Sequence, residues 1–149
     1  DEWSPQIQIG VSSKIPENYI EDVSLRLSMY RRIALLKSEE EIEKMKQELV
    51  DRFGNLPKEV KTLLEIISIK QHCRNANIYK IDAGKNGINI KFYKDIFPNP
   101  ENLLKYITKN PNRISVNGDQ SIVIKKNMSN KNDRIKLVKD ELMIITSLV

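Results

Sequence analysis

Apolar residues recur at helical spacing through most of the first half of the chain. Between Pro16 and Lys37 they occupy every third or fourth position, and acidic residues precede basic ones, as the helix dipole favours. The apolar positions of this first predicted helix are Ile20, Val23, Leu27, Tyr30, Ile33 and Ala34. We therefore expect these side chains to face a core.

A second predicted helix begins with a capping box and ends at a glycine. Ser38 is followed three residues later by Glu41, so that the hydroxyl and the carboxylate can each bond a free backbone N–H. The predicted inward positions of this helix are Ile42, Met45, Leu49 and Phe53. Gly54 is expected to end it in a left-handed conformation, and Pro57 suits the start of a third helix that runs to about Asn75.

The pattern then changes to a period of two. Alternating runs at 78–81 and 88–92 flank a glycine-containing turn, and runs at 113–116 and 121–125 flank Asn117-Gly118, a strong hairpin signal. The remaining predicted elements are a strand at 6–11, a short helix after Asn99-Pro100, and a terminal helix with Ile135, Val138, Leu142 and Ile145 on one face.

This order of elements predicts an α+β fold, with an N-terminal helical part plus a mainly antiparallel small sheet of two hairpins and a C-terminal helix. We expect one domain over 1–149, with the helical part at about 15–76 and the strand-and-helix part at about 77–149. The content of 40% hydrophobic and 30% charged residues is ordinary for a globular chain and excludes a disordered one.

The net charge of +5 is unevenly distributed. Residues 1–69 hold 10 Lys and Arg against 13 Asp and Glu, whereas residues 70–149 hold 15 against 7. A basic half of this size is compatible with nucleic-acid contact but does not establish it.

The first residues and the cysteine count indicate a location. The chain starts with acidic and polar residues and has no apolar run near the roughly 20 residues that span a bilayer. A single cysteine, Cys73, excludes an internal disulfide. Because the chain starts at Asp1 and not at a methionine, we expect a segment of a longer protein, with a cytoplasmic location in a bacterium and no membrane partner.

The sequence offers few groups for catalysis. It contains no glycine-rich phosphate loop and no nucleophile elbow, and His72 and Cys73 have no further ligand at metal-binding spacing. We therefore expect no catalytic, cofactor-binding or metal-binding residue. Tyr79, Phe92 and Tyr93 lie near lysines on predicted strands. We favour packing of these rings in the core or at the edge of the sheet, and the alternative is an exposed surface on which bases stack.

Two acids stand near the end of the second predicted helix. Glu48 and Asp51 are three residues apart, so both project from one strip of the helix, although the helix dipole disfavours acids there. Two interpretations follow, a solvated surface or a surface on which a basic partner docks.

Two stretches of the chain resemble one known family. IPENYIEDVSLRLSMYRRIA at 15–34 and ELVDRFGNLPKEVKTLLE at 48–65 carry the patterns IP-x-x-YI-x-D, RL-x-x-YRRIA and EL-x-DRFG-x-LP. These patterns are similar to the C-terminal (TRCF) domain of the bacterial transcription-repair coupling factor family (Mfd). The resemblance covers essentially the whole chain, although the second half is similar in its pattern of strands and helices more than in residue identity.

The resemblance implies a function in transcription-coupled nucleotide excision repair. In that family the whole protein is an ATP-dependent translocase on double-stranded DNA, with ATP and Mg²⁺ in its motor, that displaces stalled RNA polymerase and recruits UvrA. The domain that this chain resembles is implied to be non-catalytic and without a cofactor of its own. It docks on the UvrB-like N-terminal module of the same protein, masks UvrA binding, and restrains the motor until RNA polymerase is engaged.

Carried onto this chain, the resemblance implies interdomain docking by Glu48, Asp51 and Arg52. The two acids would meet arginines of the UvrB-like module, and Arg52 would orient Asp51 or contact the partner directly. The implied structural signature consists of Arg26, Tyr30, Arg31, Phe53, Gly54 and Pro57. The alternative function is a basic nucleic-acid-binding module whose second half contacts duplex DNA.

Overall fold

The computed structural model describes residues 3–149, which form five α-helices, a five-stranded sheet and a 3₁₀ turn at Tyr93–Asp95. The helices are α1 (Val23–Ala34), α2 (Glu39–Phe53), α3 (Lys58–Asn75), α4 (Pro100–Lys109) and α5 (Lys131–Ser147). The strands are β1 (Gln6–Gln8), β2 (Ile78–Gly84), β3 (Gly87–Phe92), β4 (Ile114–Val116) and β5 (Ile122–Lys125). The predicted α+β class is confirmed. None of the helices in this range has the length and apolar content to cross a membrane.

These elements divide into two compact units. The helical unit is Ser12–Gln71, and the sheet unit combines the N-terminal stretch through Val11 with His72–Val149. The division falls within α3, which therefore contributes residues to both units. Strand β1 precedes the helical unit in sequence but belongs to the sheet unit, because it pairs with β2.

The helical unit is built around side chains from α1, α2 and α3 and from the loop before α1. Its buried residues are Ile15, Ile20, Met29, Ile33, Ile42, Met45, Leu49, Val60, Leu64 and Ile67. Phe53 packs against this core as a partly buried side chain. The predicted inward face of α2 is therefore confirmed.

The predicted inward face of α1 is partly wrong. Its exposed apolar residues are Val23, Leu27 and Ala34, and its buried residues are Met29 and Ile33. The helix begins only after Asp22, whose carboxylate caps it by accepting a hydrogen bond from Leu25 N. Ile20 lies before this cap, in a turn where its N–H bonds the carbonyl of Pro16. Because the apolar spacing was counted through this turn, it placed Val23, Leu27 and Ala34 inward by mistake, whereas Tyr30 and Ile33 do contact the core.

Both ends of α2 are capped. Ser38 Oγ accepts from Glu41 N at 3.1 Å, as predicted, and the Glu41 carboxylate accepts from Lys37 N at 3.0 Å. At the other end Gly54 N donates to Val50 O at 3.0 Å. The φ of Gly54 is 94° but its ψ is −171°. The predicted left-handed helical conformation is therefore wrong, and Gly54 lies in a region of φ and ψ open essentially to glycine alone.

The sheet has the order β1-β2-β3-β5-β4. Its pairs are antiparallel except for the parallel pair of β1 and β2, so the mainly antiparallel prediction is confirmed. The loop between β4 and β5 is wider than a two-residue Asn-Gly turn. Asn117 N donates to Ser121 O at 2.8 Å, the Asn117 side chain bonds Ser121 Oγ at 3.0 Å, and the positive φ of 71° falls at Gln120.

A β-bulge interrupts β2 where it pairs with β3. Ile78 is in register with Phe92 and Lys80 is in register with Lys91, so Tyr79 is an extra residue without a partner on β3. Ile78 is buried, whereas Tyr79 and Lys80 are both partly exposed. The bulge therefore interrupts the alternation of side chains and turns two consecutive ones away from the core. Phe92 is buried, as its phase predicts.

Helix α5 buries two charged residues that its apolar spacing did not predict. Its buried positions are Arg134, Val138, Glu141, Leu142 and Ile145. Glu141 is only 3% exposed and accepts hydrogen bonds from Arg113 at 2.9 Å and Lys126 at 3.1 Å. Arg134 Nη1 donates to the carbonyl of Ile9 at 3.0 Å. Both charges are therefore satisfied inside the sheet unit, as burial requires.

Candidate functional site

Glu48 joins helix α2 to helix α1. Its Oε2 accepts from Arg32 Nη1 at 2.5 Å and its Oε1 accepts from Arg32 Nη2 at 2.6 Å. These two parallel bonds form the bidentate geometry in which arginine binds carboxylates most strongly. Arg52, four residues after Glu48 on the same helix, donates from Nη1 to Oε2 at 2.9 Å. One carboxylate thus holds two guanidinium groups.

The two arginines shift the titration of Glu48. The pKa of Glu48 is lowered to about 2, mainly by the hydrogen bond from Arg32. Burial opposes this shift, and the hydrogen bond from Arg52 contributes to it. The same hydrogen bond raises the pKa of Arg32. Glu48 is therefore ionised at neutral pH, and its charge is balanced within the helical unit.

Asp51 is placed differently. It is exposed, and it forms no hydrogen bond or ion pair with any residue between 3 and 149. It lines a shallow depression of about 380 Å³ on α2 together with Glu43, Lys46, Gln47 and Val50. Val50 is 40% exposed, so an apolar side chain lies beside the open acid. This combination offers a partner both a charge and an apolar contact.

Arg52 contacts Glu48 and not Asp51. Its guanidinium also lies over the ring of Phe53, 5.0 Å from the ring centre. Adjacent residues on a helix point in different directions, whereas residues four apart face each other. Arg52 therefore orients the earlier of the two acids and leaves Asp51 open.

Two signature residues hold the segment before α1. Arg26 Nη1 donates to the carbonyl of Ile20 at 2.8 Å, and the hydroxyl of Tyr30 accepts from Ile15 N at 2.7 Å. Arg31 is exposed and bonds no residue in the described range 3–149. Arg26 and Tyr30 thus fix the entry into the helical unit, and Arg31 lies on its surface.

The joint between α2 and α3 involves a further tyrosine. The hydroxyl of Tyr19 shares its proton between Gly54 O at 2.8 Å and Leu49 O at 3.1 Å, and its ring lies 5.8 Å from that of Phe53. Burial raises the pKa of Tyr19. The carbonyl of Pro57 accepts the first hydrogen bonds of α3 at 3.1 Å, which places Pro57 just before the helix. Tyr19 therefore secures the carbonyl that follows the end of α2.

Sequence reasoning did not single out Arg32 or Tyr19 as residues of this site. Both stand in the stretch 15–34, but their partners Glu48 and Gly54 stand in the stretch 48–65. An arginine in one motif and an acid in the other was the available signal for a bond between the two stretches. The fold was needed to show which arginine reaches which acid.

The site consists of charged side chains on the surface of the helical unit. Among residues 3–149 no group of three or more His, Cys, Asp or Glu side chains is arranged to hold a metal ion. The charged cluster of Arg32, Glu48 and Arg52 and the open Asp51 can present fixed charges to a partner. We call Glu48, Asp51 and Arg52 the docking edge.

Comparison with known proteins gives one consistent result. A family model described as the TRCF domain matches residues 9–103, which include both stretches that carry the resemblance. The transcription-repair-coupling factor of Rickettsia conorii is 42% identical over 128 residues, which is 86% of this chain and 11% of that protein. The transcription-repair-coupling factor of Escherichia coli is 34% identical over 134 residues, which is 90% of this chain and 12% of that protein.

A solved structure has the same fold. It is described as the crystal structure of the C-terminal domain of transcription-repair coupling factor and matches with a TM-score of 0.72 at 20% identity. The match covers 97% of this chain and 95% of that chain.

Fold and site together define an α+β domain with a charged edge on its helical unit. The chain belongs to the TRCF domain family of transcription-repair-coupling factors. It spans 11% to 12% of the length of the two relatives described above.

Proposed function

We propose that this TRCF domain is a non-catalytic, autoinhibitory interaction domain. It docks on a UvrB-like N-terminal module of the same protein, masks the binding of that module to UvrA, and restrains a translocase motor on double-stranded DNA until RNA polymerase is engaged. ATP and Mg²⁺ belong to that motor. The observation that carries the proposal is the open Asp51 on α2 of a chain of this family.

The two acids of the docking edge have different functions in this proposal. Asp51 is the direct contact, because an arginine of the partner can reach it without displacing an existing ion pair. Glu48 is already bound by Arg32 and Arg52, so a partner arginine would have to compete with a bidentate bond. Glu48 therefore positions the edge.

The energetics of such a contact suit a reversible restraint. A closed form favoured by a few kcal/mol keeps the open form at about the percent level, and engagement of another partner can then shift the population. Charged contacts at the rim of an interface set specificity and association rate more than affinity. A charged docking edge beside one exposed valine, Val50, is consistent with a contact that opens in each repair cycle.

Charge reversal at Asp51 tests the proposal. In the intact transcription-repair-coupling factor that carries this domain, we expect Asp51→Lys to increase the binding of UvrA. We expect the same change in the separate domain to weaken pull-down of the N-terminal module about tenfold, because a favourable charge pair becomes a repulsive one. Glu48→Lys should reduce docking and also stability, since two arginines lose their carboxylate.

Glu40→Lys is the matched control. Glu40 lies on the same helix and is exposed, and its one ion pair within residues 3–149 is with Lys44 four residues later. It should leave docking and UvrA binding unchanged. If Asp51→Lys alters neither docking nor UvrA binding while circular dichroism shows a folded domain, the docking edge is not part of the interface. An equal loss in Glu40→Lys would mean that overall charge alone is measured.

A further inference from the structure

The sheet unit has a polar outer face. Polar side chains face outward from β2 and β3, at Lys80, Asp82, Asn89 and Lys91. The buried positions of the two strands are Ile78, Ile81, Ala83, Ile88, Ile90 and Phe92. The outward residues of β1, Gln6 and Gln8, continue this face, because they are in register with Lys80 and Asp82. This face lies on the sheet unit, separate in sequence from the docking edge of the helical unit.

Two lysines are opposed on this face. Lys80 and Lys91 are direct partners across β2 and β3. Like charges directly opposite each other destabilise a strand pair. Neither lysine has an ion pair with a residue of the described chain. Asp119 interacts with the charge of Lys91, and its carboxylate also accepts hydrogen bonds from Ser121. A bound anion would relieve the repulsion between the two lysines.

The two lysines border a polar pocket of about 220 Å³. Its lining consists of Lys80, Asp82, Asn89, Lys91, Asp119 and Ser121. The positive charges of the two lysines equal the negative charges of the two carboxylates, so the pocket does not suit a bare anion alone. It suits a group that has both hydrogen-bond donors and acceptors and is attached to a negative charge. A nucleobase joined to its phosphate has this combination of groups.

An aromatic ring stands beside the lysines because of the β-bulge. The hydroxyl of Tyr79 accepts from Gln6 Nε2 at 3.3 Å, which places Tyr79 on the outer face with Gln6 and Lys80. Trp3 stacks on Tyr93 with ring centres 4.7 Å apart. Tyr79 meets these two rings only in edge or tilted contacts, at 6.3 Å and 6.1 Å. A face of the Tyr79 ring is therefore not stacked on either neighbouring ring.

We infer that the outer face of the sheet binds single-stranded nucleic acid. A base stacks on Tyr79, its polar edge enters the pocket at Asn89, and the backbone phosphates lie on Lys80 and Lys91. A single strand fits better than a duplex, because stacking on a tyrosine requires an unpaired base whose faces are free. The attraction of the phosphates to lysine adds affinity that falls with salt.

Fluorescence anisotropy with the 149-residue chain tests the inference. The probes are a short labelled DNA strand of mixed sequence and the duplex formed from the same strand. We expect the single strand to bind more tightly than the duplex, with an affinity that falls as salt rises. Lys80→Gln combined with Lys91→Gln should weaken binding about tenfold at low salt and reduce the salt dependence by a slope of about 0.7 per lost phosphate contact.

The stacking contact has its own pair of variants. Tyr79→Phe keeps the ring and should bind as the unchanged chain does, whereas Tyr79→Leu should lose about tenfold in affinity. The matched control for the lysines is Lys37→Gln with Lys61→Gln, which makes the same change in net charge at exposed positions of the helical unit. This control should bind as the unchanged chain does.

Three results would overturn the inference. The first is that the single strand does not bind. If the lysine variants then impair a protein–protein contact, the face belongs to a protein partner. The second is duplex binding as tight as single-strand binding. The third is an equal loss in the control pair. Circular dichroism of each variant separates these results from unfolding, and the lysine variants still decide the question if Tyr79→Leu does not fold.

Discussion

At the scale of single residues, Glu48 is an acid at a helix end that the helix dipole alone would disfavour. Arg32 and Arg52 both stand in the last turn of their helices, where a cation is favourable. Both guanidinium groups donate to the same oxygen of Glu48, and without this carboxylate they would repel each other. Glu48 is therefore stabilised by two cations that the ends of α1 and α2 already favour. Its position needs no external partner to explain it.

Acid should weaken the helical unit through Glu48. Its pKa of about 2 in the folded chain is below the ordinary glutamate value of 4.5, so the ionised group stabilises the fold above about pH 4.5, and this contribution is lost as the pH falls toward 2. We expect the unchanged chain to be more stable than Glu48→Gln at neutral pH by about 1 kcal/mol or less, since the pair is partly exposed. Urea denaturation at several pH values should show this difference shrinking in acid. A difference that is constant with pH would contradict the prediction.

At the scale of elements, the end of α2 depends on one glycine. The chain must leave α2 and reach Pro57 within three residues, and Gly54 makes the turn with φ 94° and ψ −171°. Its carbonyl is then held by Tyr19. A Cβ added at Gly54 would meet no atom within 4 Å, so the requirement for glycine comes from the backbone and not from crowding.

Gly54→Ala should therefore destabilise the chain by backbone strain alone. We expect the free energy of unfolding to fall by about 1–3 kcal/mol, the usual strain of a non-glycine residue in this region. Gly118→Ala is the matched control, because Gly118 also has open space around it but no positive φ. It should change stability by less than about 0.5 kcal/mol. Urea denaturation of both variants measures the difference, and equal effects would show that the conformation of Gly54 is not the cause.

Local signals predicted the elements well, and the exceptions have physical reasons. The capping box at Ser38 and the stop at Gly54 are encoded within a few residues, so they could be identified in the sequence. The buried face of α1 could be identified only in part, because the turn that precedes Asp22 changes the phase of the apolar positions. The exposed position of Tyr79 depends on a bulge that arises only from pairing with β3. Likewise, the bond from Arg32 to Glu48 depends on how α1 and α2 pack.

At the scale of the whole molecule, the sheet unit is assembled from distant parts of the chain. Strand β1 is parallel to β2 and is separated from it by the entire helical unit, a pairing that no local pattern predicts. Arg134 connects these parts: it donates to the carbonyl of Ile9 just after β1 and to the carbonyl of Met128 just before α5, each at 3.0 Å. One buried guanidinium thus links the start of the sheet to the last helix.

Replacement of Arg134 should destabilise the sheet unit strongly. Arg134→Met keeps an unbranched side chain but leaves the carbonyls of Ile9 and Met128 without their donors. We expect a loss of about 2–4 kcal/mol in the free energy of unfolding, since each unsatisfied buried carbonyl costs about 1–3 kcal/mol. Lys136→Met on the same helix is the control, because Lys136 is exposed and, in the part of the chain that the structure describes, its one ion pair is with Asp140. Chemical denaturation followed by circular dichroism compares the two, and equal stabilities would contradict the proposed link.

The stack of Trp3 on Tyr93 has a practical consequence for spectroscopy. Trp3 is the single tryptophan of the chain, and it belongs to the sheet unit. Its intrinsic emission therefore reports the state of that unit alone, whereas far-ultraviolet ellipticity reports helices of both units. Equilibrium transitions that coincide in the two signals would indicate that the units unfold together, and transitions that separate would reveal a half-folded intermediate. The chain thus contains its own label for telling one unit from the other.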